Sequence, residues 1–289
     1  SIETTMAARV LQSTATTARI HTKLACRTFS STSNNDFVLT TLDEGIGMAT
    51  LQLNRPPVNS LSLEMLQTIS SSLKSIESNP EIQSLVVSSC NPKVFSAGLD
   101  ITELHAPNIN RLRKFWHAFQ QVYLDLYASR LACIAAIEGH APAAGCMLAL
   151  CCDYRIMTDN SRVKIGLNET ELGIAAPPWL GKMLVDTIGT RQAELSLGLG
   201  LLYSWKQALK MGLVDEVVST EDVVERAKDE AVKWAGIPPQ ARVASKLLTR
   251  RAPMDQLLAT RQQDTDDFVS FVTLESTQQT LAAYLERLK

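Results

Sequence analysis

Apolar and polar residues alternate over residues 37–42 and again over 48–53, on either side of Asp43-Glu44-Gly45, which predicts a β-hairpin. Asn54-Arg55-Pro56-Pro57 ends it. From Ser62 to Glu77 the period changes: Leu63, Leu66, Ile69, Leu73 and Ile76 recur at helical spacing, with Asn79-Pro80 as the stop. Leu85-Val86-Val87 then predicts a short buried strand. A long helix is expected over residues 110–128, a second buried strand over 133–137, and an apolar helix over 145–152 after a glycine-alanine turn. Residues 154–157 and 163–166 predict two more strands.

Beyond Pro177 the pattern is mostly helical, over 179–188, 191–199, 205–211 and 223–234, with a short strand at 214–218. Gly236-Ile237-Pro238-Pro239 interrupts it before a final helical segment, 240–289. Strand, turn, helix and strand again is the rhythm of an α/β fold with a parallel sheet. No internal repeat suggests a solenoid.

Composition narrows the class. The 289 residues carry 28 Lys+Arg against 30 Asp+Glu and are 45% apolar, with 13 Gly and 11 Pro. These values fit one large globular domain or two small ones, and disfavour disorder, collagen and disulfide scaffolds. No apolar run reaches the roughly 18 residues of a membrane helix, so no membrane insertion is expected. A net charge of -2 gives no electrostatic case for nucleic acid. Cys26, Cys90, Cys133, Cys146, Cys151 and Cys152 form no C-x-x-C pair, which favours a reducing compartment. His21, His105, His117 and His140 show no zinc-type spacing, so no metal is expected.

The N-terminal stretch reads as a targeting signal. Residues 1–5 are expected to be a remnant ahead of Met6, the expected natural start. Residues 6–35 hold Arg9, Arg19, Lys23 and Arg27, no acid and many Ser and Thr, the composition of a mitochondrial presequence. Arg27-Thr28-Phe29-Ser30 resembles a processing site, so residues 1–29 are expected to be removed. Their loss takes four bases and one acid (Glu3), leaving 24 bases against 29 acids. The alternative is a disordered basic tail.

Two turns are candidates for chemistry. Phe95-Ser96-Ala97-Gly98-Leu99-Asp100 and Gly139-His140-Ala141-Pro142-Ala143-Ala144-Gly145-Cys146 each follow a predicted buried strand, and small residues let a ligand approach the backbone. The second opens a helix, whose first N–H groups attract negative charge. Together they can aim two N–H donors at one oxygen, as in an oxyanion hole. From the residues alone, tight strand-to-helix connections are the favoured reading of both, since small-residue turns are common.

These turns, with residues 167–174, resemble the crotonase (enoyl-CoA hydratase/isomerase) superfamily from about Phe37 to the C-terminus. The likeness is greatest to its mitochondrial Δ3,Δ2-enoyl-CoA isomerase branch, in Pro56-Pro57-Val58-Asn59-Ser60-Leu61-Ser62-Leu63-Glu64, Phe95-Ser96-Ala97-Gly98-Leu99-Asp100, Cys152-Asp153-Tyr154-Arg155-Ile156 and Ile165-Gly166-Leu167-Asn168-Glu169-Thr170. The resemblance implies a crotonase (ClpP/crotonase-type) α/β spiral of ββα units over residues 37–235. It also implies a C-terminal helical segment, 236–289, that serves a homotrimer. By position it makes the N–H groups of Leu99 and Ala144 the oxyanion donors, with Ala144 standing where the family usually has glycine. Ala97, Gly98, Leu99, Asp100, Ile101, Ala144 and Asn168 are implied to contact the acyl-CoA.

The same resemblance places two glutamates in hydratases. The first position is Met147 here, which transfers no proton; the second is Glu169. One carboxylate suits removal of a proton at C2 and its return at C4, whereas hydration benefits from two groups. The expectation is therefore an isomerase that converts 3-cis- or 3-trans-enoyl-CoA to 2-trans-enoyl-CoA in β-oxidation, in the mitochondrial matrix, with no cofactor beyond the coenzyme A of its substrate. The alternatives are hydration, thioester hydrolysis, or a non-catalytic acyl-CoA- or RNA-binding member.

Glu171 is a rival carboxylate, expected to be a surface or supporting group. Asn168-Glu169-Thr170 is also a glycosylation sequon, not expected to be used in the matrix. His140 and the cysteines of residues 146–152 are expected to be structural. Trp179 and Leu180 are balanced between core and acyl pocket.

Overall fold

The computed structural model describes residues 37–287. The predicted presequence, residues 1–29, lies outside the described residues. The hairpin forms from β1 (Val38–Asp43) and β2 (Met48–Leu53), antiparallel and in register from Val38 opposite Leu53 to Asp43 opposite Met48. Helix α1 (Leu63–Glu77) buries Leu63, Leu66, Ile69, Leu73 and Ile76, the positions its period marks, and Ser62 caps it by accepting from the Met65 N–H.

From β2 onward every pairing in the main sheet is parallel. β3 (Ser84–Ser89), β4 (Ala132–Ile137), β6 (Tyr154–Thr158) and β8 (Glu216–Val218) follow β2 across it. Burial on both faces accounts for the unbroken apolar sequence of β4 and for the apolar centre of β3, Leu85-Val86-Val87, which buried Ser84, Ser88 and Ser89 flank. Leu85, Val87, Cys133, Ala135 and Ile137 join the larger core, with α1, α2 (Ile109–Tyr127) and α3 (Ala144–Cys151). Alternate residues Val86, Ile134 and Ala136 pack on Val223, Ala227 and Ala231 of α7 (Val223–Ala235) on the other face.

The connections stack as well. Leu61 bridges Leu99, Val94 bridges His140, β5 (Ala141–Pro142) pairs with β7 (Ile165–Gly166), and Ile165 bridges Tyr203. Successive turns of the chain thus lie against one another beside the main sheet, which makes the molecule a spiral and brings three sequence-distant loops together.

Helices α4 (Pro178–Ile188), α5 (Thr190–Leu199) and α6 (Trp205–Met211) follow. The final helical segment resolves into α8 (Pro239–Val272) and α9 (Glu275–Arg287). Helix α8 is anchored through Asp153, which pairs with Lys246 at 2.6 Å and Arg250 at 3.0 Å.

Candidate functional site

Ser96 to Leu99 is fixed before any ligand arrives. Buried Asn59 donates to Ser89 Oγ and to the Phe95 carbonyl, while the Ser96 hydroxyl donates to the Asn59 carbonyl. The Leu61 N–H donates to the Gly98 carbonyl and the Asp100 N–H to that of Leu61, so the ladder uses the amides on either side of Leu99 and leaves its own. The Gly98 N–H is satisfied by Ser96 Oγ at 3.2 Å.

The second turn runs into α3 against the first. A Cβ on Gly145 would lie 2.3 Å from the Ser96 carbonyl oxygen, so only glycine permits this approach. Ala143 takes φ +49°, a left-handed value unusual for alanine, and turns the chain so that Ala144 begins α3. The left-handed residue of this turn is therefore Ala143, and Ala144, which stands where the family usually has glycine, is itself helical. As the first helical residue it has no intrahelical acceptor. Among the described residues, neither the Leu99 nor the Ala144 N–H has a hydrogen-bond acceptor.

Glu169 opens the 3-10 turn Glu169–Leu172, which ends on left-handed Gly173. Its residue as a whole is half-buried, but Oε2 is shielded from solvent and without a partner. Burial pushes the carboxyl up to about 7, with only its own backbone N–H opposing. The turn also separates the two rival carboxylates: Glu171 is exposed and accepts from Asn168 Nδ2 at 3.2 Å.

A cavity of about 80 Å³ joins these parts, bordered by Ala97, Leu99, Ile101, Ala144, Asn168 and Glu169. Seven of the eight predicted site residues are thus at or next to one space. Gly98 lies behind it, its Cβ position 3.1 Å from the Ala144 nitrogen. Asp100 turns elsewhere, to Arg55 at 2.7 Å and the Thr102 N–H at 3.1 Å. Leu180 lines the cavity, whereas Trp179 packs on Phe119 and Tyr123 behind it.

Met147 is fully buried, with Cys151 Sγ 3.4 Å from its sulfur. His140 acts through its backbone carbonyl, which accepts from the Phe95 N–H. Cys133, Cys146, Cys151 and Cys152 are buried, and burial raises their thiols, Cys133 to about 11. The rest of the wall is apolar: Leu104, Trp116, Phe119, Leu172, Phe268 and Tyr284. Trp116, Phe119, Phe268 and Tyr284 were not marked by sequence, since each lies on a long helix where an apolar side chain reads as core, and only tertiary packing brings α8 and α9 here.

A profile of the family described as "Enoyl-CoA hydratase/isomerase" matches residues 43–289, a span that takes in both turns, Glu169 and the C-terminal helices. The chain belongs to the enoyl-CoA hydratase/isomerase family. It is 45% identical to "Enoyl-CoA delta isomerase 1, mitochondrial" of Homo sapiens, over 87% of this chain and 83% of that one. The Mus musculus protein of the same name is 44% identical over 88% of each. A crystal structure of human mitochondrial delta3-delta2-enoyl-CoA isomerase is similar with a TM-score of 0.86, at 45% identity, covering 87% of this chain and 98% of that one. A "Short-chain-enoyl-CoA hydratase" of Clostridium acetobutylicum is 27% identical, over 84% of this chain and 92% of that one. The crotonase-type α/β fold, C-terminal helices included, is thereby established for this chain.

Proposed function

We infer that this chain is an enoyl-CoA delta isomerase, which moves the double bond of 3-cis- or 3-trans-enoyl-CoA to the 2-trans position. The observation that carries the mechanism is one buried carboxyl, raised to about 7 with no cation beside it, on the same small cavity as two unused backbone amides. The N–H groups of Leu99 and Ala144 donate to the thioester oxygen, holding the negative charge that develops when the C2 proton leaves. Glu169 takes that proton and returns it at C4. The C2–H bond breaks, the C4–H bond forms, and the double bond moves from C3=C4 to C2=C3. This balance calls for no cofactor beyond the coenzyme A of the substrate.

A carboxyl near 7 suits both halves of this transfer, because its two protonation states are close in energy at working pH. The apolar wall, with Met147 in place of a second acid, favours proton transfer over positioning of water. The mitochondrial names of the relatives support a place in that organelle; the matrix, the removed presequence and a role in β-oxidation complete the reading. Assembly as a homotrimer through the C-terminal segment is part of it, supported by the apolar Leu248, 86% exposed on α8.

Product analysis with 3-hexenoyl-CoA and 2-hexenoyl-CoA tests this function. The expected result is 2-trans-hexenoyl-CoA from the first and little 3-hydroxyacyl-CoA from either. Comparable formation of 3-hydroxyacyl-CoA would make it a hydratase, free coenzyme A a hydrolase, and tight binding without product a non-catalytic member.

A further inference from the structure

Outside the reaction cavity one side chain ties the first turn to the chain that leaves β2. Arg55 Nη2 pairs with Asp100 Oδ2 at 2.7 Å, and its Nη1 donates to the Ser60 carbonyl and to Ser60 Oγ, both at 2.9 Å. The arginine backbone is fixed in turn, since its N–H donates to Asn59 Oδ1 at 2.7 Å and its carbonyl accepts from the Asn59 N–H at 2.8 Å. Asp100 is used on both oxygens: Oδ1 accepts from the Thr102 N–H at 3.1 Å and from the Thr102 hydroxyl at 2.7 Å. The Arg55 and Asp100 side chains are 27% and 12% exposed, and neither borders the cavity.

What the pair flanks is the Leu99 amide. The Leu99 N–H and the Gly98 carbonyl belong to one planar trans peptide and point opposite ways. By donating to that carbonyl at 2.8 Å, the Leu61 N–H sets the direction of the Leu99 N–H. Gly98, at φ +89°, places little restraint of its own on this plane. The restraint therefore comes from the Leu61–Leu99 bridge, and Arg55 grips the residue next to each end of it, Ser60 and Asp100. A planar guanidinium with its donors in a fixed fork suits that double grip. We propose that the Arg55–Asp100 pair is a clamp that positions the Leu99 N–H for the thioester oxygen, acting through Leu61 and touching no substrate atom. This deepens the isomerase reading and rests on its oxyanion donors. One such donor is worth about a hundredfold or more in rate, and a displacement of about 1 Å can forfeit that much.

The test reads the donors directly, through the infrared carbonyl stretch of bound hexanoyl-CoA labelled with carbon-13 at the thioester carbon, beside kcat and KM on 3-hexenoyl-CoA. Hydrogen bonding lowers that stretch, and no turnover is needed to see it. Asp100→Asn keeps an oxygen for Thr102 but gives up the charge that Arg55 pairs with; Arg55→Met keeps the apolar stem and loses both grips. Each variant, its fold checked by circular dichroism, is expected to lose at least half of the parent's shift and to lower kcat at least tenfold, with KM within threefold of the parent. Arg55→Lys, which retains the charge without the fork, is expected to recover part of both losses. A folded Asp100→Asn or Arg55→Met protein that keeps more than half of the shift overturns the proposal. So does a KM raised beyond threefold with kcat and shift intact, which would make Arg55 a contact for the substrate's phosphates. A parent without the shift lacks the two donors and takes the proposal with it. A parent that shows the shift but leaves 3-hexenoyl-CoA unchanged sinks the isomerase reading alone, since the spectra still judge the clamp.

Discussion

A Cβ placed on Gly98 would lie 3.1 Å from the amide nitrogen of Ala144 and 3.0 Å from the Ala143 Cβ, so two turns more than forty residues apart touch at the cavity edge. Gly98 also sits at φ +89°, where side chains are strained. Gly98→Ala is therefore expected to lower kcat/KM at least a hundredfold by parting the two amides, and to cost about 1–3 kcal/mol of stability. Steady-state kinetics and urea unfolding measure both effects.

Ala143 and Ala144 should respond in opposite ways to glycine. Ala143→Gly relieves a left-handed alanine and is expected to stabilise by about 1 kcal/mol. Ala144→Gly puts glycine in a helix and is expected to cost about 0.5–1 kcal/mol. Urea midpoints at constant m-value compare the two.

Glu169 links activity and stability to pH with opposite signs. The folded chain holds this proton up to about 7, against 4.5 for an ordinary glutamate. Below pH 4.5 folded and unfolded chains are both protonated; between 4.5 and 7 the unfolded chain loses its proton first, so stability falls as pH rises through that window. The full loss is about 3 kcal/mol by pH 8. Glu169→Gln escapes it, and should be more stable than the parent at pH 8 by about that amount and equal to it at pH 4. The base works ionised, so the parent kcat/KM should rise with pH through about 7.

Asp153 holds α8 to the core. Its side chain and that of Lys246 are 5% and 4% exposed, and it also accepts from the Cys133 N–H at 2.9 Å. Asp153→Asn leaves a buried ammonium without its counter-charge, at an expected cost of about 3–5 kcal/mol, read from chemical unfolding.

Much of this was legible in the chain because its signals are local. The hairpin, α1 and the doubly buried β3 and β4 follow from periods of two and 3.6 and from unbroken apolar runs. Leu99, Ala144 and Glu169 were reached through motif resemblance, since small-residue turns alone did not separate a donor pair from ordinary connections. Two features were beyond sequence reasoning. The orientation of Glu169 against Glu171 depends on a single 3-10 turn, and spacing of two residues fits either a shared or an opposed face. Phe268 and Tyr284 reach the cavity only because Asp153, Lys246 and Arg250 dock α8, an arrangement no local pattern encodes.

The most direct measurement is the turnover of Glu169→Gln on 3-hexenoyl-CoA, with circular dichroism to confirm the fold and a binding assay with a saturated acyl-CoA. With the proton carrier removed and both amides kept, kcat is expected to drop at least a thousandfold while binding changes less than threefold. A folded Glu169→Gln protein that retains more than a tenth of the parent kcat would contradict the assignment of this carboxylate as the proton shuttle.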